Sequence, residues 1–152
     1  MMMNKDQVIE CIATGAFSGY APVAPGTAGS LVGIPIWALF TWTLGPFYAA
    51  AVAGLIILAI WSADEMALQM DMKDPGCVVI DEIAGMVITL SGISFSVSGV
   101  VIGFLLFRVF DVFKPFPAGF LEKRFSGGTG IVLDDIAAGI MANLTLHLIL
   151  LF

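Results

Sequence analysis

Two pairs of adjacent carboxylates interrupt otherwise apolar stretches of the chain. Asp81 and Glu82 form the first pair, and Asp134 and Asp135 form the second, each among Val, Ile, Leu and Ala. A carboxylate beside lipid is costly, which favours a functional site over mere complementation of a helix dipole. Carboxylate oxygens suit Mg²⁺ or Mn²⁺, whereas zinc prefers histidine or cysteine. We therefore predict one cation site between the pairs, in which the four acids either hold two ions or hold one ion and supply the base.

Small residues accompany both pairs at helical spacing. Gly85 follows Asp81 by four residues, and Gly139 follows Asp135 by four. Residues four apart share one face of a helix, and a glycine on that face lets a second helix approach closely. The spacing predicts that the two acidic helices pack directly against each other.

A third group of charged residues is spaced by three: Arg108, Asp111 and Lys114. Arginine and lysine are the natural partners of a phosphate, and Asp111 is a further candidate metal ligand. The alternative is a structural Arg108–Asp111 ion pair, with Lys114 reaching towards lipid headgroups.

Two glycine-rich segments precede predicted helices, where free N–H groups can bind phosphate. Thr27 and Ser30 belong to the first segment, and Gly127 and Gly128 belong to the second. Neither segment matches a P-loop, because no Gly-Lys-Ser/Thr follows. Their proximity to the charged residues makes these four positions predicted substrate contacts, while a plain turn is the alternative.

The composition is that of a membrane protein. The chain has 152 residues, of which 59% are hydrophobic and only 12% are charged, whereas soluble domains average about 25% charged residues. This length predicts one domain over residues 1–152. The net charge of −6 argues against nucleic acid as a partner, because a basic face is absent.

Apolar stretches of about 20 residues predict an all-α, polytopic membrane bundle. It has about five transmembrane or re-entrant helices after an N-terminal amphipathic helix over 4–17. The predicted spans cover 25–44, 47–63, 74–90, 97–113 and 131–152, and 116–124 is predicted to be interfacial. Pro35 allows the first span to be re-entrant. Asp74 and Pro75 are expected to start the third span as N-cap and first helical residue.

The charged residues fall on one side of this arrangement. All six Lys and Arg residues and all twelve acids lie on the side that holds the N-terminus. The positive-inside rule assigns that side to the cytoplasm and the C-terminus to the opposite side. Four polar stretches then converge at one membrane face, as a site for a lipid headgroup requires.

Several phosphatase mechanisms lack their residues here. The only histidine, His147, is placed towards the opposite face in the last span, which excludes a two-histidine mechanism. Cys77 has no arginine six residues later, and Asp111 is not part of an Asp-x-Asp motif. Attack by water with the help of a metal ion is what remains.

Four motifs, in this order, resemble the phosphatidylglycerophosphatase A family. They lie at Ala24–Ser30, Asp74–Gly85, Phe107–Pro117 and Gly127–Gly139. The resemblance implies an all-helical, Mg²⁺-dependent hydrolase of the bacterial inner membrane. Its substrate would be phosphatidylglycerophosphate, from which it would release the terminal phosphate to give phosphatidylglycerol.

Two other functions are considered. A metal-dependent phosphatidyl-transferring enzyme would also need an acid-rich site, but its usual Asp-x-x-Asp-Gly pattern is missing, since Asp74 is followed by Pro75. A cation carrier would need polar residues through the bilayer, and the far halves of the predicted spans hold little beyond Thr41, Thr43 and His147. The sequence does not fix the oligomeric state.

Overall fold

The computed structural model describes residues 4–151, which fold into helices without any strand. The prediction of an all-α fold is therefore confirmed, while Met1–Met3 and Phe152 lie outside the described residues. Short 3₁₀ turns at Ser18–Tyr20 and Gly45–Phe47 join the longer helices. Those helices are α1 (Lys5–Ala13), α2 (Pro25–Thr43), α3 (Tyr48–Met70), α4 (Ile80–Thr89), α5 (Val97–Phe113), α6 (Ala118–Arg124) and α7 (Gly127–Leu150).

The first helix begins at a strong local signal. Asn4 accepts a hydrogen bond from the backbone N–H of Gln7, and the Gln7 side chain accepts one from the N–H of Asn4. This capping box satisfies two N–H groups that a helix start leaves free. Ile9 and Ala13 turn inward and are fully buried. The predicted amphipathic helix thus exists, although it ends at Ala13 rather than near residue 17.

The centre of the fold is α4, which packs against α2, α3, α5 and α7. Most of its residues are buried, including Met86 and Val87. The contact with α7 is close because two glycines face each other: a Cβ atom placed on Gly139 would lie 2.5 Å from the backbone oxygen of Gly85. The predicted direct packing of the two acidic helices is therefore present.

The predicted third span begins too early. Residues 72–79 are not helical, and α4 starts only at Ile80. The preceding segment is held by tertiary contacts: the N–H of Val79 donates to the oxygen of Ala13, and a side chain at Gly19 would collide with the backbone oxygen of Cys77. A helix of ten residues is about 15 Å long, half the apolar thickness of a bilayer. α4 therefore cannot span a membrane and is instead enclosed by other helices.

The C-terminal end of α4 is satisfied by side chains of neighbouring helices. The amide nitrogen of Asn143 donates to the backbone oxygens of Thr89 and Ser91, at 2.9 and 2.8 Å. The hydroxyl of Tyr48 lies 2.7 Å from that of Ser91. Because the last carbonyl groups of a helix lack partners within the helix, these contacts allow the end to be buried.

Replacing Asn143 with alanine is expected to destabilise the protein by about 1–3 kcal/mol, because it leaves two carbonyl oxygens unsatisfied. The melting temperature of the purified protein in detergent measures this loss. The matched control is Thr145→Ala, which removes a hydroxyl that bonds only to Met141 of its own helix. A melting temperature lowered no more by Asn143→Ala than by Thr145→Ala would contradict the capping role.

Within residues 4–151, two helical segments are long and apolar enough to cross a membrane: residues 45–70 and 127–150. Large apolar side chains on the outer faces of the helices, such as Trp42, Ile57 and Leu105, are exposed as they would be to lipid. These features support membrane association. The arrangement with five spans stays a prediction, and α4 is not one of its full spans.

Candidate active site

One cavity of about 390 Å³ lies where α2 and α4 begin, α5 ends and α7 begins. The four polar stretches that were expected to converge therefore do so. The loop before α4 and the end of α6 complete the wall. Acidic residues predominate in its lining: Asp74, Asp81, Glu82, Asp111, Glu122, Asp134 and Asp135 face two lysines, Lys73 and Lys114.

Three of these acids form a cluster suited to a metal ion. One carboxylate oxygen from each of Asp81, Glu82 and Asp135 can be chosen so that all lie within 4.8 Å of one another. Among residues 4–151, Asp81 Oδ1, Glu82 Oε2 and Asp135 Oδ2 are buried without a hydrogen-bond partner. Buried carboxylates at this separation repel one another and lack solvation. A divalent cation with hard oxygen ligands would offset both costs, so these residues fit Mg²⁺ or Mn²⁺.

Glycines bring the cluster together. The Gly85–Gly139 contact sets the spacing of α4 and α7, and Asp81 and Asp135 lie one turn before those glycines. At the start of α2, a Cβ atom on Gly26 would collide with Glu82 Oε1. The absence of a side chain at Gly26 therefore lets α2 close the site over Glu82.

Asp134 has a different environment from its neighbour Asp135. Its Oδ2 accepts a hydrogen bond of 2.6 Å from Lys114 Nζ, while its Oδ1 has no partner among the described residues. Lys114 also donates to Glu122 Oε1 at 2.9 Å. Burial alone would lower the pKa of Lys114, but the hydrogen bonds to Asp134 and Glu122 raise that pKa above its usual range. Lys114 is therefore a fixed positive charge in the cavity wall.

Arg108 is held by two neighbours. Its Nη1 lies 2.5 Å from Asp111 Oδ2 and 3.5 Å from the hydroxyl of Ser30, which itself donates to the oxygen of Gly26. The ion pair weighed as the structural alternative therefore exists. The guanidinium lies beside Gly26 and Glu82 at the start of α2, next to the cavity but not among the residues that line it.

Of the substrate contacts predicted in the two glycine-rich segments, some line the cavity and others do not. Gly127 lines the cavity, with a φ of +65° that glycine adopts readily. The N–H of Gly128 donates to Asp64 Oδ1 at 2.8 Å and is thus engaged within the protein. Thr27 lies in the first turn of α2, outside the cavity lining. The second glycine segment, predicted as a loop, is the first turn of α7.

Several residues of the site were not singled out from the sequence. Asp64 fixes the start of α7, Glu122 shares Lys114 with Asp134, and Lys73 and Asp74 line the cavity. Asp74, which the sequence predicts as a helix N-cap, lies instead in the loop before α4. Asp64 and Gly128 are 64 residues apart, so local spacing in the sequence could not predict their contact.

His147 takes no part in this cavity. It is exposed on α7, its Nδ1 contacts the oxygen of Asn143, and it lies twelve residues beyond Asp135, about 18 Å along the helix. This position agrees with its exclusion from the predicted chemistry.

The comparison with known families bears directly on this site. The family description for phosphatidylglycerophosphatase A matches residues 11–150, which include every residue of the acidic cluster. The chain belongs to the phosphatidylglycerophosphatase A family. Phosphatidylglycerophosphatases A are phosphoric monoester hydrolases, and the prediction that the chain is such an enzyme is confirmed.

Individual relatives are similar in sequence to this chain over most of their length. Phosphatidylglycerophosphatase A of Escherichia coli (strain K12) is 37% identical over 91% of this chain and 81% of its own. The protein of the same name from Haemophilus influenzae is 35% identical over 88% and 83%. A putative phosphatidylinositol-3-phosphatase of Bacteroides thetaiotaomicron is 38% identical over 85% of each chain. No solved structure matches the fold.

Proposed function

We propose that the chain hydrolyses the terminal phosphomonoester of phosphatidylglycerophosphate to phosphatidylglycerol and phosphate, with Mg²⁺ as cofactor. Membership of the phosphatidylglycerophosphatase A family supports the substrate. The observation that carries the chemistry is the cluster of Asp81, Glu82 and Asp135, with its unpartnered buried oxygens.

These three residues would hold the metal ion, and Asp134 and Asp111 are further proposed ligands. When bound, such an ion neutralises phosphate charge and lowers the pKa of water towards neutrality. The cavity has seven acidic residues against two lysines, so in the absence of cations it would repel a phosphate. We infer that the carboxylates bind the cation before the substrate.

The remaining charged residues would bind and orient the substrate. Arg108 and Lys114 would contact the phosphate oxygens, with Asp111, Ser30 and Glu122 holding these two cations in place until substrate arrives. As the alternative to binding the metal, Asp134 would accept a proton from the attacking water through Oδ1, which is buried without a partner among the described residues.

Backbone positions would add weaker contacts. Gly127 would offer its N–H to the phosphate, because it lines the cavity. Thr27, Ser30 and Gly128 stay proposed contacts, although Ser30 is fully buried and Gly128 would first have to release Asp64.

The direct test is release of phosphate from phosphatidylglycerophosphate by the purified protein. We expect release with Mg²⁺ and none after treatment with EDTA, with recovery when Mg²⁺ is added back. Absence of phosphate release with Mg²⁺ and with Mn²⁺ would refute the proposed function.

Arg108→Gln is expected to raise the KM about 10–100-fold, because a hydrogen bond to a charged group contributes about 1.5–3 kcal/mol. Initial rates over a range of substrate concentrations separate KM from kcat. Arg124→Gln is the matched control: neither arginine is part of the cavity lining, but Arg108 is half-buried and paired with the lining residue Asp111, whereas Arg124 is exposed at the end of α6. Equal effects of the two substitutions would point to general attraction of an anionic lipid instead of a contact by Arg108.

A second candidate substrate is a phosphorylated inositol lipid. The similarity to the Bacteroides protein, equal in degree to the others, favours testing it. Both substrates carry a phosphomonoester on a lipid headgroup, so the same cavity chemistry would serve them. The ratio of kcat/KM for phosphatidylglycerophosphate and phosphatidylinositol 3-phosphate decides between the two.

We place the enzyme in the bacterial inner membrane, with the N-terminus and the cavity on the cytoplasmic side and the C-terminus in the periplasm. The gathering of charged residues around one cavity supports this orientation. Membership of a hydrolase family favours this function over a phosphatidyl-transferring enzyme or a cation carrier. An assay without any nucleotide separates hydrolysis from a transfer that starts from a nucleotide-activated lipid.

A further inference from the structure

A second cavity lies beside the acidic one, in a groove between α6 and α7. Its volume is about 380 Å³, within the range of small-molecule sites. The lining is apolar throughout. It includes Pro117, Leu121, Leu133, Ile136, Ile140 and Met141. We call it the α6–α7 groove.

The groove and the acidic cavity share their walls. Leu121 and Leu133 line the groove, and the residues that follow them, Glu122 and Asp134, line the cavity. Consecutive residues of a helix point about 100° apart, so the two spaces lie on adjoining faces of the same helices. Lys114 connects Glu122 to Asp134 at this boundary.

The groove runs along α7, away from the acidic residues. Along α7 it begins at Leu133, level with the acidic residues, and continues to Met141. This stretch rises about 12 Å, away from the charged end of the helix and into its apolar half. Ile140 is 48% exposed, so the groove is open at its side to the surroundings of the protein.

We propose that the α6–α7 groove binds one acyl chain of the lipid substrate while its phosphate lies in the acidic cavity. This inference rests on the proposed function, since a lipid phosphomonoester joins a phosphate suited to the cavity to an apolar chain suited to the groove. Burial of the chain in the groove would orient the headgroup relative to Asp134 and Lys114. The enzyme would thus select its substrate by both ends.

The test compares a long-chain phosphatidylglycerophosphate with glycerophosphoglycerophosphate, the same head without acyl chains. Ile140→Trp narrows the groove at its exposed side and is expected to lower kcat/KM for the long-chain lipid about tenfold. Hydrolysis of the acyl-free compound should be unchanged. Leu144→Trp, at a position of α7 that is 60% exposed and outside the groove, is the matched control for both substrates.

The possible results distinguish failure of the groove proposal from failure of the proposed phosphatase activity. Unchanged hydrolysis of both substrates by Ile140→Trp, or an equal loss with both, would overturn the groove proposal. Failure of the wild-type protein to hydrolyse either compound would instead refute the phosphatase activity itself.

A second measurement uses the wild-type protein and so does not depend on a variant that folds. A phosphatidylglycerophosphate analogue with a photoreactive acyl chain should label residues 133–141, and unlabelled phosphatidylglycerophosphate should suppress that labelling. Phosphatidylcholine in the same excess should not. Labelling spread evenly over the exposed faces of α3 and α5, or suppressed equally by phosphatidylcholine, would identify the groove as ordinary bilayer contact and overturn the proposal.

Discussion

Replacing Asp81 with asparagine is expected to reduce Mg²⁺-dependent phosphate release by at least about 100-fold. Loss of a residue that only supports a metal ligand commonly costs 10–100-fold, and a ligand itself should cost no less. Asp135→Asn should behave in the same way, because both residues belong to the three-carboxylate cluster. Rates measured at several Mg²⁺ concentrations would show whether excess metal restores part of the activity.

Stability gives an independent readout of the same substitution. Asparagine has nearly the shape of aspartate and removes one of three mutually repelling charges, so the metal-free variant should unfold at or above the wild-type temperature. The rise in melting temperature that Mg²⁺ gives the wild-type protein should disappear, because a bound ligand stabilises only the state that binds it. Loss of activity together with a fall in metal-free stability would indicate misfolding.

The control is Asp71→Asn. Asp71 ends α3 in the left-handed region, with a φ of +50°, and lies outside the acidic cavity. Asparagine tolerates this conformation, so the variant should keep its activity. Full Mg²⁺-dependent activity in Asp81→Asn would refute the proposed metal site.

Gly139→Ala is expected to destabilise the protein by about 1–3 kcal/mol, although alanine is the better helix former. The added Cβ would meet the backbone oxygen of Gly85 at 2.5 Å and its Cα at 3.2 Å, and backbone atoms cannot turn aside. Overpacking of this kind costs more than the roughly 1 kcal/mol that alanine gains over glycine within a helix. For a protein of this size the melting temperature should fall by several degrees.

Gly54→Ala tests the opposite case, in which alanine should not reduce the stability of the protein. Gly54 lies within α3, and a Cβ atom there would contact nothing within 4 Å. That variant should therefore be as stable as the wild type or slightly more stable. Because α4 and α7 carry the metal cluster, Gly139→Ala should also lower activity. A rise in stability at both glycines would show that the two helices are not in the close contact described.

The sequence predicted those elements that local rules determine. The bounds of α5 agree with the predicted span over 97–113, and α2 ends one residue before its predicted limit. Local signals mark the ends of these helices: Pro25 starts α2 and Gly45-Pro46 follows it, while Ser96 caps the start of α5 and Pro115 follows its end. The placement of charged residues also predicted a shared site, because acids and lysines from separate stretches avoid the apolar parts of the helices and line one cavity.

Other features depend on residues far away along the chain. Asp74 and Pro75 form a good local helix start, but contacts with Ala13 and Gly19 hold the segment up to Val79 in a loop. The second glycine segment became helical because Asp64 accepts the N–H of Gly128. Such distant partners have no signature in local spacing.

The sequence also did not indicate which of the four paired acids would form the cluster and which would meet a lysine. Asp134 and Asp135 are neighbours in sequence and line the same cavity, yet they point about 100° apart on α7 and meet different partners. Asp134 meets Lys114 across a short hydrogen bond, whereas Asp135 joins Asp81 and Glu82. Only the positions of α4 and α5 around α7 determine which acid meets a cation of the protein and which is left for a metal ion.

The dependence of α4 on α7 has a consequence for biosynthesis. Asp135 completes the acidic cluster and Asn143 closes the end of α4, and both belong to the last described helix. A nascent chain whose synthesis has stopped before α7 would hold two carboxylates without their third member and a short helix with exposed carbonyl groups. Such a chain would present unsatisfied polar groups to the membrane insertion machinery and to proteases. The chain can become active only after α7 has emerged from the ribosome.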